Sequence, residues 1–274
     1  MINSQTNMIS VILKISLIVM LSGCVTTGEK ITTTELHNKK KIELSPKVHR
    51  LNKDKLVKSP TVILLHGCAG PDNANLQPWI ASLNSWGYNA VVINSLSPRG
   101  ASQICDRPFS IVTIEQRAID AYDTAKWIIE QEWASDRVGI VGFSHGGGAV
   151  IQSVATRTIE RNFAGKQIIL AGVAYYPICQ TDLNWDKPAI PLQLHIGDAD
   201  TWTPANMCKD LARNWKISDQ YYEYPSATHG FDMVGYNTTS LPDANRVSHK
   251  LIYNKEHTDL SRQRTKAFLD KYLK

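Results

Sequence analysis

The sequence predicts an α/β domain, a mostly parallel central sheet with helices on both faces. Short apolar runs alternate with helical patterns from Leu36 to the end of the chain, the order in which crossover helices join parallel strands. The chain has 274 residues, 43% hydrophobic and 20% charged, so it can bury a sizeable core and is ordinary in composition for a globular protein. No internal repeat or second boundary interrupts the pattern, which points to a single domain over residues 36–274.

Taken in order, Thr61 to Leu65 reads as a buried strand, and Trp79 to Trp86 as a short helix stopped by Gly87. Asn89 to Ile93 is the next strand. Thr113 to Trp133 carries Ile114, Ala118, Ala121, Tyr122, Ala125, Ile128 and Ile129 on one stripe, a helical period. Val138 to Val141 is a strand, and Gly146 to Ile159 a helix of small residues. Strands then follow at Ile168 to Tyr175, Ile190 to Ile196 and Tyr221 to Tyr224. Met207 to Trp215 and Leu260 to Leu273 read as helices.

Ahead of the domain, Val11 to Leu21 is apolar but short, and Lys14 interrupts it. A spanning helix needs about 20 apolar residues, so residues 1–23 read as a signal peptide. Leu21-Ser22-Gly23-Cys24 resembles the lipobox of bacterial lipoproteins, which are cut before the cysteine and acylated on it. The resemblance implies a lipid on Cys24, a Thr-rich tether over 24–35, and anchoring in a bacterial cell envelope on its periplasmic or extracellular face. Each buried acyl carbon contributes about 0.8 kcal/mol, and stable anchoring takes more than one chain.

Net charge is +5, and Lys14 is the only charge before Cys24, which leaves +4 on a chain starting there. The basic residues are scattered apart from Lys39-Lys40-Lys41. Neither interleaved aromatics nor a groove-reading helix accompanies that run, so no nucleic-acid partner is expected. Metal-ligand spacing, a phosphate-binding glycine loop and a dinucleotide fingerprint are all missing from the sequence, and no cofactor is expected.

The chemistry gathers around Gly142-Phe143-Ser144-His145-Gly146, which fits G-x-S-x-G between a predicted strand and a predicted helix. On such a turn the serine hydroxyl is lifted above the carboxyl edge of the sheet, and its neighbours must be small. A serine needs an oriented base to become a nucleophile. The acid and the histidine follow in that chain order in this arrangement. Asp200 lies after a strand within Gly197-Asp198-Ala199-Asp200-Thr201-Trp202-Thr203-Pro204, with Asp198 as its rival. His229 follows the strand Tyr221 to Tyr224. Ser144, Asp200 and His229 are therefore the expected catalytic residues. The backbone N–H groups of His145 and Cys68 are the expected oxyanion hole, Cys68 standing in the loop after the first buried strand.

With these residues in view, the sequence resembles the dienelactone hydrolase family of the α/β-hydrolase superfamily, over roughly Thr61 to Leu273. The resemblance rests on the loop at His66-Gly67, the Gly142–Gly146 turn, the Asp200 segment ending in Pro204, and His229-Gly230-Phe231. It implies nucleophile, acid and base roles for Ser144, Asp200 and His229. The namesake enzymes use a cysteine nucleophile and carry a glutamate in the first oxyanion loop. Here Ser144 and Gly67 stand at those places, so a small-molecule ester is the expected substrate rather than dienelactone itself. The cysteine pattern resembles an exported subgroup in which Cys179 and Cys208 bracket the acid's strand.

Four cysteines follow Cys24, and an even number in an exported chain suggests two disulfides with three connectivities. Cys68–Cys105 and Cys179–Cys208 are favoured because each joins loops that the fold brings together. Among the remaining candidates, His66 is expected to bond locally and His195 to sit in the core. Arg99 is expected in a surface salt bridge, Trp202 either lines a pocket or packs under its loop, and a nucleophilic Cys68 has no oriented base.

The expected protein is a lipid-anchored serine hydrolase. An acyltransferase using the same triad is separated from it by product analysis with competing acceptors. A catalytically silent envelope lipoprotein is separated from it by labelling with a fluorophosphonate. Oligomeric state is not legible in the sequence.

Overall fold

Val62-Ile63-Leu64-Leu65 and Val138-Gly139-Ile140-Val141 offer no polar alternation, so strands built from them must be covered on both faces. The computed structural model describes residues 25–26, 29–51, 57–72, 76–106, 111–179 and 185–274. Residues 1–23, expected as a signal peptide, and Cys24 lie outside the described residues. Chain order is β1 (Val25–Thr26), β2 (Ile31–Thr34), β3 (Lys41–Leu44), β4 (Lys47–His49), β5 (Ser59–Leu65), α1 (Leu76–Ser85) and β6 (Asn89–Ile93). Then come α2 (Ile114–Ile129), β7 (Ala134–Phe143), α3 (His145–Val154), α4 (Thr156–Phe163), β8 (Ile169–Tyr175) and β9 (Leu192–Gly197). The chain closes with α5 (Ala205–Asn214), β10 (Tyr221–Tyr224), β11 (Asn237–Pro242), β12 (Ser248–Ile252) and α6 (Lys255–Leu273).

Eight strands form one sheet in the order β1-β4-β6-β5-β7-β8-β9-β10, parallel from β6 through β10. Only β4 and β1, at one edge, run antiparallel to their neighbours. Adjacent residues of β7 show how both faces are covered. A side chain on Gly139 would meet Leu269 and Leu273 of α6, whereas one on Gly172, the β8 partner of Ile140, would meet Val150 and Val154 of α3. Register pairs Leu65 with Gly142 and Phe143 with Tyr175, which brings the carboxyl ends of β5, β7 and β8 level. The loops leaving those ends build the site.

Three expectations are corrected. The segment expected as a tether folds onto the domain: β2 pairs with β3 and alternates buried and exposed residues. Thr33 is fully buried, donating to Asp120 of α2 at 3.1 Å, and the Leu36 N–H donates to Gln116 at 2.7 Å. The Thr-rich composition hid a two-residue period carried by Ile31 and Thr33. The helix expected over Gly146 to Ile159 breaks at Ala155, whose extended ψ of 137° lets it bridge to Pro188. Arg99 is not in a surface bridge. Its side chain is 6% exposed, making a two-pronged pair with Asp120 at 2.8 and 2.9 Å and a further bond to Glu35.

Both favoured disulfides are formed, Cys68–Cys105 across 37 positions and Cys179–Cys208 across 29. Loops of that length restrict the unfolded chain by about 3–4 kcal/mol per bridge. Replacing Cys179 and Cys208 together by alanine is expected to lower unfolding free energy by about 3 kcal/mol. Urea titration under oxidising conditions checks this, and a variant as stable as the native chain contradicts it.

Candidate active site

The turn after β7 carries Ser144 at φ 53° and ψ −117°, a conformation costly for any residue with a side chain. Its neighbours explain how the turn holds. A Cβ on Gly142 would stand 2.3 Å from the Gly146 carbonyl oxygen, and one on Gly146 would stand 2.3 Å from that of Leu65. Only glycine fits at either place, so strand, turn and helix close tightly and the hydroxyl projects from the sheet edge.

The Asp200 loop leaves β9, and the His229 loop leaves β10. Backbone bonds from Asp198 N to Tyr224 O (3.1 Å) and Ala199 N to Ala227 O (3.0 Å) bind one loop to the other. His229 Nδ1 donates to Asp200 Oδ2 at 2.8 Å, which leaves Nε2 to accept from Ser144 Oγ at 2.9 Å. Asp200 is almost fully buried, yet every oxygen is satisfied. Oδ1 accepts the N–H groups of Trp202 and Thr203, each at 2.8 Å, and Oδ2 accepts the Thr203 hydroxyl at 2.9 Å. Asp198 is exposed and accepts the Ser226 N–H from the loop that leaves β10.

Behind the histidine, the Tyr176 ring stands edge-on at 4.7 Å and the Trp202 ring lies at 5.1 Å. Asp232, three residues beyond His229, is fully buried and accepts from Trp79 Nε1 and Tyr176 OH, both at 2.7 Å. Burial holds its carboxyl above the ordinary range. Thr203, Tyr176 and Asp232 are missed by sequence reasoning. Thr203 lay inside the quoted acid segment, and its spacing to Asp200 was the available signal.

Two cavities of about 150 and 40 Å³ meet at Ser144, with Cys68 and Trp202 lining both. The larger runs along Cys179, Met207 and Asn245, and the smaller is walled by Met233, Tyr236 and Leu251. Trp202 therefore lines a pocket, and its ring also stacks on His249 at 5.0 Å. The β11–β12 hairpin, unread in the sequence, supplies one wall of each cavity. Cys68 is disulfide-bonded and has no thiol to offer. His195 is buried in the core, bonded to Tyr224 OH and Gln193. His66 bonds locally through Nδ1 to the Gly67 carbonyl at 2.7 Å. No cluster of three or more His, Cys, Asp or Glu suited to a metal ion occurs among the described residues.

Three imidazoles, His66, His145 and His195, are fully buried, and burial more than anything else holds each below its ordinary value of 6.5. Arg117 adds to this for His66 and His145, and Arg264 for His195. The unfolded chain takes up these protons near pH 6.5 while the folded chain does not, so stability is complete above that pH and lost below it. Each buried imidazole removes about 1.4 kcal/mol per pH unit once the unfolded form is protonated. Melting temperature is expected to fall steeply from about pH 6.5 to about pH 5. A flat profile over that interval contradicts the assignment.

A mostly parallel sheet, helices on both faces and a serine on the turn after a central strand make this an α/β hydrolase. The chain belongs to the dienelactone hydrolase family, whose model matches residues 48–273. Membership makes it an ester-hydrolysing enzyme of that fold. Three solved structures share its architecture. A dienelactone hydrolase-like promiscuous phosphotriesterase from metagenomic libraries is 15% identical, with TM-score 0.65, over 92% of this chain and 100% of that one. An esterase from Pyrococcus furiosus is 18% identical, with TM-score 0.60, over 92% and 94%. A dienelactone hydrolase from Anabaena variabilis is 15% identical, with TM-score 0.60, over 91% and 99%. No curated protein sequence is significantly similar.

Proposed function

We propose that the chain is a serine hydrolase that cleaves a carboxylic ester or lactone through an acyl-enzyme on Ser144, while lipid-anchored at Cys24 in a bacterial cell envelope. The observation that carries the catalytic reading is the unbroken chain of hydrogen bonds from Ser144 Oγ through His229 to Asp200. His229 takes the hydroxyl proton as Ser144 attacks the carbonyl carbon. Asp200 keeps the imidazole oriented and stabilises its positive charge. The N–H groups of Cys68 and His145 receive the developing oxyanion. His229 then gives its proton to the leaving oxygen, and water activated by the same imidazole releases the acid.

A fluorophosphonate probe tests the nucleophile. The native chain should be labelled at Ser144 and should hydrolyse p-nitrophenyl esters, and Ser144→Ala should do neither. Unlabelled native protein with no esterase activity overturns the reading. Cys24→Ala tests the anchor separately, since it should move the protein from the membrane fraction to the soluble fraction. Continued membrane association overturns the lipid attachment alone.

A further inference from the structure

Arg117 of α2 lies directly beneath the site and is fully buried. Its Nη2 donates to the His66 carbonyl at 2.6 Å, and its Nη1 donates to His145 Nδ1 at 3.0 Å. His66 stands two residues before Cys68, and His145 follows Ser144. One guanidinium therefore ties together the two segments that bear the proposed oxyanion donors. The His66 carbonyl is boxed in from the other side as well, because a Cβ on Gly146 would stand 2.5 Å from it.

Stability alone does not account for a charge in this position. Asp120, the nearby carboxylate, is committed to Arg99 through two bonds. Arg117 Nε has no hydrogen-bond partner among the described residues. Burial lowers the pKa of this guanidinium to about 9, against the opposing influence of Asp120 and with Arg99 adding to the fall. A buried cation without its own counter-ion generally costs more than a well-packed apolar residue of similar size. The planar fork does something an apolar residue cannot: it fixes the direction of a peptide carbonyl and of an imidazole at once.

We propose that Arg117 is a positioning residue of the oxyanion hole, holding the Cys68 loop against the start of α3 at the spacing that two converging N–H donors require. This inference rests on the reading of Ser144 as nucleophile. Without the fork the His66–Gly67 peptide can turn, and the Cys68 N–H with it, while the substrate cavity beyond Ser144 is untouched. The effect belongs in the chemical step rather than in substrate binding.

The test measures kcat and KM for a p-nitrophenyl ester per site titrated with fluorophosphonate, together with the rate of phosphonylation, in Arg117→Met and Arg117→Lys. Arg117→Met should lower kcat about a hundredfold, the loss typical of a small misplacement of reacting groups, with KM nearly unchanged. Phosphonylation should slow in parallel, and Arg117→Lys should recover part of both. Native kcat per titrated site in Arg117→Met overturns the proposal, as does a loss confined to KM. Should Arg117→Met fail to fold, Arg117→Lys decides: reduced kcat at native KM supports the proposal, and native kcat overturns it. A native chain that neither labels nor cleaves esters overturns the hydrolase reading and this inference together.

Discussion

Ser144→Ala and His229→Ala are each expected to lower kcat by about a million-fold, with the double variant little worse than either. In the proposed mechanism Ser144 and His229 act on one proton across their 2.9 Å hydrogen bond, so removing either leaves the other nothing to do. Both side chains end in a cavity rather than in the packed core, and neither change should disturb folding. Single-turnover kinetics on the three variants check this, with residual rates compared against the uncatalysed reaction. Losses that add in the double variant would mean that the two groups work in separate steps.

Asp200→Asn is expected to lower kcat by about ten-thousand-fold while leaving the fold intact. Oδ1 of Asp200 accepts two backbone N–H groups, so an asparagine will keep its carbonyl oxygen there. Its NH₂ then takes the place of Oδ2 and points at His229 Nδ1. Two donors cannot face one another, so the imidazole must carry its proton on Nε2, turned toward Ser144. In that tautomer His229 cannot accept the serine proton. The Thr203 hydroxyl, which donates to Oδ2, would have to rotate, and its contact with the Tyr176 carbonyl at 3.1 Å gives it an alternative acceptor. A melting temperature close to native with collapsed kcat is the signature, and Asp200→Asn with near-native kcat would remove Asp200 from the mechanism.

Much of the candidate site was legible because its members sit in local patterns. Ser144 is flagged by glycines two positions to either side, and those glycines are demanded by backbone contacts of 2.3 Å within and beside the turn. Asp200 follows an apolar run and His229 the tyrosine-rich stretch Tyr221 to Tyr224, and each of these reads as a strand. The disulfide partners were reachable for a similar reason, since Cys68 and Cys105 follow the neighbouring strands β5 and β6, and Cys179 and the α5 residue Cys208 follow the neighbouring strands β8 and β9. The support around the triad was not legible. Arg117 reads as one more residue on a helix, and its acceptors lie 51 and 28 positions away. Asp232 serves Trp79 from 153 positions along the chain. The β11–β12 hairpin carries no strong apolar run, and β2 was masked by its threonines.

By itself the sequence determined the alternation of strands and helices, the turn that presents Ser144, and the order of serine, acid and histidine. These follow from periodicity and from steric demands between near neighbours, both written along the chain. Tertiary structure alone decided which buried groups surround the triad, where β2 and the β11–β12 hairpin pack, and which two segments the Arg117 guanidinium joins. Such contacts join residues whose separation leaves no repeating signal, because a hydrogen bond depends on distance in space and is indifferent to distance along the chain.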